Sequence, residues 1–198
     1  MANNCYNWVQ ITGNKQVLDK IERRFKKYDT TKYFTEFGNL ILEKSIDTYV
    51  DKPFDFYYKY GTKWWDMYLD RGDDETFTIT GDTAWSPPEK LLLLMSEKYD
   101  VIIEHEFEEA GCDFAGEYRY EKGIALKKDM SYQEYVYLNN SEGFFDDILC
   151  NIEDEVEQQS WDEFQKDYIC ESVMMVITDK DLKFIKDEFE EAKRTRVS

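Results

Sequence analysis

Two kinds of hydrophobic spacing follow one another at the start of the chain. Along residues 5–11 every second side chain shares one side, so that Cys5, Asn7, Val9 and Ile11 lie opposite Tyr6, Trp8 and Gln10. This period of two predicts a β-strand. The Thr-Gly-Asn sequence at residues 12–14 predicts a turn. Apolar side chains then recur every three or four positions, which predicts an amphipathic helix over residues 15–27.

A second block repeats this alternation of strand and helix spacing. Residues 63–69 and 76–80 are predicted strands, and residues 70–74 are the loop of their hairpin. Ser86 is predicted to cap a helix over residues 87–98, because Glu89 stands where it completes a capping box. A strand over residues 101–107 follows. The aromatic segment before this block contains only one predicted element, a short strand at residues 40–42.

The order of these elements predicts an α+β fold. Strand, helix, two strands, helix and strand is the order of the ferredoxin-like fold, an antiparallel sheet with two helices on one face. Residues 114–120 and 124–126 are separated by a Glu-Lys-Gly turn, and we expect this β-hairpin to extend the sheet. The first predicted domain therefore covers residues 1–127.

Residues 128–198 show the helical period alone, and they form the second predicted domain, an acidic α-helical part. The first helix has Phe145, Ile148, Leu149, Ile152 and Val156 on one side. A second segment repeats the pattern, and Thr178 is predicted to cap a last helix. The side chains expected to form the core of this part are Phe145, Ile148, Ile152, Trp161, Phe164, Ile185 and Phe189.

The negative net charge of the chain disfavours some classes of binding partner. The chain contains 43 acidic and 25 basic residues, a net charge of −18. Such a chain repels phosphate, so we expect neither direct nucleic-acid binding nor binding to anionic membranes. The absence of a long apolar segment and of a signal-peptide pattern predicts a cytoplasmic protein. The four cysteines are expected to be reduced and mostly buried.

The residues that most enzymes need are scarce in this chain. His105 is the only histidine, which excludes a metal site built from several histidines, and its place in a strand pattern predicts a packed side chain or a surface one. None of the glycine-rich loops that bind phosphates is present, and neither is a serine-nucleophile elbow. We therefore expect no enzymatic activity, no metal and no cofactor.

Acidic side chains are concentrated in one segment. Residues 142–171 contain eleven acids and one base, a net charge of −10. A solvated helix face is one interpretation of this cluster. The other is a surface that imitates the phosphates of a nucleic acid and occupies a basic groove on a protein. The candidate partner-binding residues are Asp146, Asp147, Glu153, Asp154, Glu155, Glu157, Asp162, Glu163 and Asp167.

Four motifs in order along the first 120 residues carry a resemblance to a known family. They are the start of the chain up to Gly13, then Gly61-Thr62-Lys63-Trp64, Thr83-Ala84-Trp85-Ser86-Pro87-Pro88 and Glu109-Ala110-Gly111-Cys112-Asp113-Phe114-Ala115-Gly116. In these motifs the chain resembles the Api92-like family, also described as having a YubB-type ferredoxin-like domain. The resemblance implies the same fold and an origin in a phage, a plasmid or a bacterial genome. The motif positions, mainly structural, are Gly61, Lys63, Trp64, Trp85, Ser86, Pro87, Glu109, Gly111, Phe114 and Gly116.

Two functions from different classes follow from these observations. The first is a mobile-element accessory protein that binds and inhibits a host nucleic-acid-binding protein or defence effector, such as a CRISPR nuclease complex, through its acidic surface. The alternative is a small-ligand sponge or sensor for nucleotide-type molecules, because aromatic side chains typically line ligand pockets. Its binding zone would comprise Trp64, Trp65 and Trp85 with Tyr57, Tyr58, Tyr60 and Tyr68. A glycan-binding or glycosidase role is a third possibility.

Overall fold

The computed structural model of the protein describes residues 4–27 and 60–196. The predicted strand at residues 40–42 lies outside these ranges. The chain divides into two compact units, Met1–Asp129 and Met130–Ser198.

The first unit is built on a six-stranded antiparallel sheet whose strands follow the order β2-β3-β1-β4-β5-β6. The first four strands thus have the ferredoxin-like arrangement, and the last two extend the sheet beside β4, as predicted. The elements are β1 (Asn4–Thr12), α1 (Lys15–Phe25), β2 (Trp65–Asp70), β3 (Thr76–Ala84), α2 (Glu89–Tyr99), β4 (Ile102–Glu109), β5 (Phe114–Glu121) and β6 (Ile124–Met130).

One face of this sheet forms the core of the first unit. Strand β1 lies between β3 and β4, and its Val9 is paired with Ile79 on one side and His105 on the other. Its alternate side chains from Cys5 to Ile11 are buried, as the period of two predicts. Both helices contribute to the same apolar cluster, through side chains such as Leu18 of α1 and Leu91 of α2. The fold class read from the sequence is confirmed.

Helix α2 starts differently from the prediction. It begins at Glu89, and the residue before it, Pro88, makes no side-chain capping hydrogen bond. The hydroxyl of Ser86 instead donates to the carbonyl oxygen of Gly61. The predicted capping box of Ser86 and Glu89 is therefore wrong. A tertiary contact between residues 25 positions apart occupies the hydroxyl that the local pattern assigned to the helix.

The second unit is helical in its described part. Its helices are α3 (Tyr132–Asn139), α4 (Ser141–Glu155), α5 (Trp161–Tyr168), α6 (Glu171–Val176) and α7 (Asp179–Arg196). Two of the starts are capped as the sequence patterns favour. Ser160 and Glu163 form a capping box at α5. Thr178 accepts a hydrogen bond from the backbone N–H of Asp181 at the start of α7, as predicted.

Apolar side chains from α3 to α7 form one core within the second unit. Of the predicted core residues, Ile148, Ile152, Phe164, Ile185 and Phe189 are buried. Phe145 and Trp161 are only half-buried. The most buried phenylalanine of α4 is instead Phe144, because it lies one turn before Ile148 and two turns before Ile152 on the same side of the helix. Phe145 is turned toward Phe184 of α7, with ring centroids 5.7 Å apart.

Candidate functional site

The outer face of α4 carries four exposed carboxylates close together. Asp146, Asp147, Glu153 and Asp154 are exposed, whereas Ile148 and Ile152 are buried. At 3.6 residues per turn, these four acids occupy the side of the helix away from the two isoleucines. We call this set the acidic face of α4. None of its members forms an ion pair with another described residue.

The acidic face is not favourable for the helix itself. The last turn of α4 contains no basic residue, although Glu153, Asp154 and Glu155 lie there. The C-terminal end of a helix carries a partial negative charge, so acids there are unfavourable by about 0.3–1 kcal/mol each when exposed. Stability of α4 therefore does not account for Glu153 and Asp154.

The remaining predicted partner-binding acids have different surroundings. Glu155 is half-buried. Glu163 accepts hydrogen bonds from the backbone N–H and the hydroxyl of Ser160, and these bonds hold its pKa below its usual range. Asp167 accepts from Gln159 at 3.3 Å. Glu157 and Asp162 are exposed. Glu163 thus has a structural role as a helix cap.

Two of the family motifs meet at one end of the sheet in the first unit. The Thr62 hydroxyl donates to the carbonyl of Ala84 at 3.0 Å. The Lys63 ammonium lies 3.3 Å from the ring centroid of Trp85. Gly61 has φ +98°, and a Cβ there would lie 2.7 Å from the carbonyl oxygen of Pro87. The loop before β2 is thereby joined to the loop after β3, which supports a structural role for these motif residues.

The described residues of the predicted aromatic zone are divided between the core and the surface. Tyr60 and Trp65 are fully buried in the cluster of the first unit. Trp64 is half-buried, and Tyr57 and Tyr58 lie outside the described residues. Trp85 and Tyr68 are the exposed members, at 44% and 72%. Trp85 also has φ +67°, an uncommon backbone conformation for a bulky side chain.

The fourth motif shapes the turn between β4 and β5. The side chain of Glu109 is almost buried, and its Oε1 accepts from the backbone N–H of Gly111 at 3.2 Å. Gly116 faces Phe107 closely, because a Cβ at position 116 would lie 2.5 Å from the Phe107 ring. Phe114 packs against that ring, with centroids 6.1 Å apart. These motif residues are placed for packing and turn geometry.

Four polar side chains on the buried face of the sheet are linked by hydrogen bonds that no local sequence pattern predicts. They are Thr83, Asn7, His105 and Tyr120. The amide oxygen of Asn7 can only accept, so the contact of 3.0 Å with His105 Nε2 is a hydrogen bond donated by the histidine. The other ring nitrogen, Nδ1, then accepts from the Tyr120 hydroxyl at 3.3 Å. The Asn7 amide donates to the hydroxyl of Thr83 at 3.0 Å. His105 is therefore packed, in agreement with one of the two predicted environments.

The stability of the first unit should depend on pH through His105. Burial lowers the pKa of His105 to about 3, below its usual 6.5. Between these values only the unfolded chain takes up the proton, so stability is lost as the pH falls below 6.5. From pH 7.5 to 5.5 the free energy of unfolding should fall by about 1.4 kcal/mol more in the wild type than in His105→Gln. Urea unfolding of both proteins at the two pH values measures this difference, and equal losses would contradict it.

The cysteines depart from the sequence prediction. None of the four forms a disulfide; Cys112 and Cys150 are exposed, Cys170 is half-buried and only Cys5 is fully buried. Burial raises the pKa of Cys5 to about 12, so that its thiol stays protonated. The expectation that the cysteines are mostly buried is wrong, because Cys150 lies on the outer side of α4, next to the acidic face.

Neither a metal site nor a membrane span is found in the described residues. Within residues 4–27 and 60–196, no group of three or more histidine, cysteine or acidic side chains is arranged to hold a metal ion. No helix in the same ranges is long and apolar enough to cross a membrane.

Comparison with known proteins finds a family match for part of the chain. Residues 64–149 match the family described as the ferredoxin-like domain in Api92-like protein. A segment of 51 residues is 35% identical to the uncharacterized protein YubB of Escherichia coli strain K12, covering 25% of this chain and 35% of that relative. The chain thus spans about a third of the length of YubB. The crystal structure of a protein api92 from Yersinia pseudotuberculosis is similar with a TM-score of 0.47 and 12% identity, covering 67% of this chain and 98% of that one.

The fold and the family match agree. The first unit belongs to the class of α+β proteins with a ferredoxin-like sheet. More particularly, residues 64–149 are similar to the ferredoxin-like domain in Api92-like protein.

Proposed function

We propose that this protein acts by binding another protein rather than by catalysis. In this proposal it is a mobile-element accessory protein whose acidic face on α4 occupies a basic groove on a host nucleic-acid-binding protein. A defence effector of the CRISPR type is the partner class to test first, and its inhibition is the expected effect. The observation that carries the proposal is the set of four exposed carboxylates without cationic partners among the described residues.

The spacing of the carboxylates supports phosphate mimicry. A helix rises about 1.5 Å per residue, so Asp146 and Asp154 are separated by about 12 Å along the axis of α4. The four charges form two adjacent pairs, Asp146–Asp147 and Glu153–Asp154, about 9 Å apart along the axis, and their average density is about one charge per 4 Å. One strand of DNA carries a phosphate about every 3.4 Å. The cationic side chains of a groove that binds DNA phosphates could therefore also pair with the carboxylates of α4.

Neutralising part of the acidic face should weaken binding strongly. The variant Asp146→Asn, Glu153→Gln, Asp154→Asn removes three negative charges, and we expect its affinity for the effector to fall about tenfold or more, since several charge pairs of up to about 1 kcal/mol are lost together. Binding is measured by calorimetry in low and high salt, and inhibition is measured as residual DNA cleavage by the effector. The affinity of the wild type should also decrease with salt.

A matched variant separates a specific surface from overall charge. Glu188, Glu190 and Glu191 of α7 are exposed, and changing all three to glutamine alters the net charge equally. This control should retain affinity within about twofold, because dispersed charges contribute little. Equal loss in the two variants, or binding insensitive to salt, would contradict the proposal. Circular dichroism of both variants confirms that α4 is folded.

A further inference from the structure

Helices α3 and α4 leave a groove between them in the second unit. Its volume is about 370 Å³. The apolar part of its lining comes from Phe144 and Ile148, which are buried, and from the half-buried Val136. The remaining lining residues are Tyr132, Gln133, Asp147, Cys150 and Asn151. The groove therefore combines an apolar wall with a polar rim, and Asp147 belongs both to the rim and to the acidic face.

The rim offers hydrogen-bond acceptors. The amide of Gln133 is occupied, because it donates to the carbonyl of Tyr168 and accepts from the backbone N–H of Cys170, both at 2.7 Å. Asn151 donates from Nδ2 to the backbone carbonyl of Asp147 at 2.8 Å, which leaves its side-chain oxygen as an acceptor. The Asp147 carboxylate is exposed. No lysine or arginine is among the residues that line the groove.

We propose that this groove receives an arginine side chain of the partner. The inference rests on the proposed function and names the side chain that the acidic face recognises. The alkyl stem of arginine would lie along the half-buried Tyr132 and Val136, and its guanidinium would reach Asp147 and the side-chain oxygen of Asn151. A planar guanidinium donates two parallel hydrogen bonds to a carboxylate, which the compact ammonium of lysine does not do. Long cationic side chains also bury their stems against apolar surface.

Peptides of equal charge test this inference without the effector. Labelled hexaarginine and hexalysine peptides are titrated with the full chain, and binding is followed by fluorescence anisotropy at one ionic strength. We expect hexaarginine to bind about fivefold or more tightly than hexalysine, because only the planar guanidinium donates two parallel hydrogen bonds to one carboxylate. Equal affinities would overturn the proposal, since charge alone would then explain the binding.

Two variants of α4 locate the arginine. Asp147→Asn should abolish the preference for hexaarginine, whereas Glu142→Gln, with the same change in charge at an exposed position that does not line the groove, should keep it. Cys150→Trp should also abolish the preference, because the larger side chain fills the groove. Cys150 is exposed, so this substitution should leave the protein folded. A preference that survives both Asp147→Asn and Cys150→Trp in folded protein overturns the proposal.

The outcome is distinguishable from that of the proposed function. A preference for hexaarginine that depends on Asp147, together with no effect on the effector, would reject the proposed partner class and support the groove. Salt-dependent binding of the effector that is lost with the acidic face, together with equal peptide affinities, would reject the groove alone.

Discussion

Replacing Ile152 with aspartate is expected to unfold the helical second unit. Ile152 is 2% exposed and lies in the core shared by α3 to α7. Removing a buried isoleucine side chain costs about 2–5 kcal/mol, and an unpaired carboxylate in its place adds a desolvation cost. The sum is comparable with the whole stability of a small domain, about 5–15 kcal/mol. Far-ultraviolet circular dichroism should show a large loss of helical signal.

The residue beside it provides the control for this substitution. Glu153 is exposed on the acidic face, so Glu153→Lys should leave the helical signal and the thermal midpoint close to those of the wild type. The pair differs by one position along α4 and tests which side of the helix is buried. A harmless Ile152→Asp would show that this side is not buried, and the described packing of the second unit would then be wrong.

Gly81→Ala is expected to separate β2 from β3. Gly81 pairs with Met67 of β2 and has φ +136°, a conformation that side-chain-bearing residues rarely adopt. A Cβ at this position would lie 1.9 Å from the backbone carbonyl oxygen of Asp66, which cannot move away without breaking the strand pair. Backbone strain is one of the few mechanisms by which a single substitution lowers the free energy of unfolding by several kcal/mol. For Gly81→Ala we expect a decrease of about 3–5 kcal/mol.

A glycine in the neighbouring hairpin loop is the matched control. At Gly72 the added Cβ would meet one described atom, the side-chain oxygen of Thr76 at 3.0 Å, and not the backbone. Gly72→Ala should therefore cost less than about 1 kcal/mol. Urea unfolding of the two variants gives the comparison. Similar stabilities for Gly81→Ala and the wild type would contradict the close approach of the two strands.

The elements of the fold could be predicted because their signals are local. The alternation along residues 5–11 and the helical spacing of Val17 and Ile21 each span a few residues, and the order of such elements is the order of a ferredoxin-like sheet. The start of α2 was predicted wrongly because its deciding contact is tertiary. Ser86 is bound to Gly61, and no pattern around residue 86 indicates that partner.

The candidate site could be predicted only in part for the same reason. The count of acids in residues 142–171 indicates an acidic surface, and the helical phase of α4 places Asp147 and Asp154 outward. The count of acids does not separate Glu163 from the others, although the Ser-x-x-Glu pattern at residues 160–163 favours its use as a cap. The groove beside Asp147 depends on how α3 packs on α4, and tertiary packing of this kind leaves no periodic signal in the sequence.

The central position of β1 has a consequence for synthesis of the chain. Asn7 is paired with Gly81 on one side and with Phe107 on the other, so both neighbours of the first strand are encoded about 75 to 100 residues later. A ribosome adds about 5–20 residues per second, so β1 emerges several seconds before a partner exists. Loop closure over such separations also makes pairing slow. The nascent chain therefore carries an unpaired apolar strand until β3 and β4 have emerged, and this interval is when a chaperone would act on it.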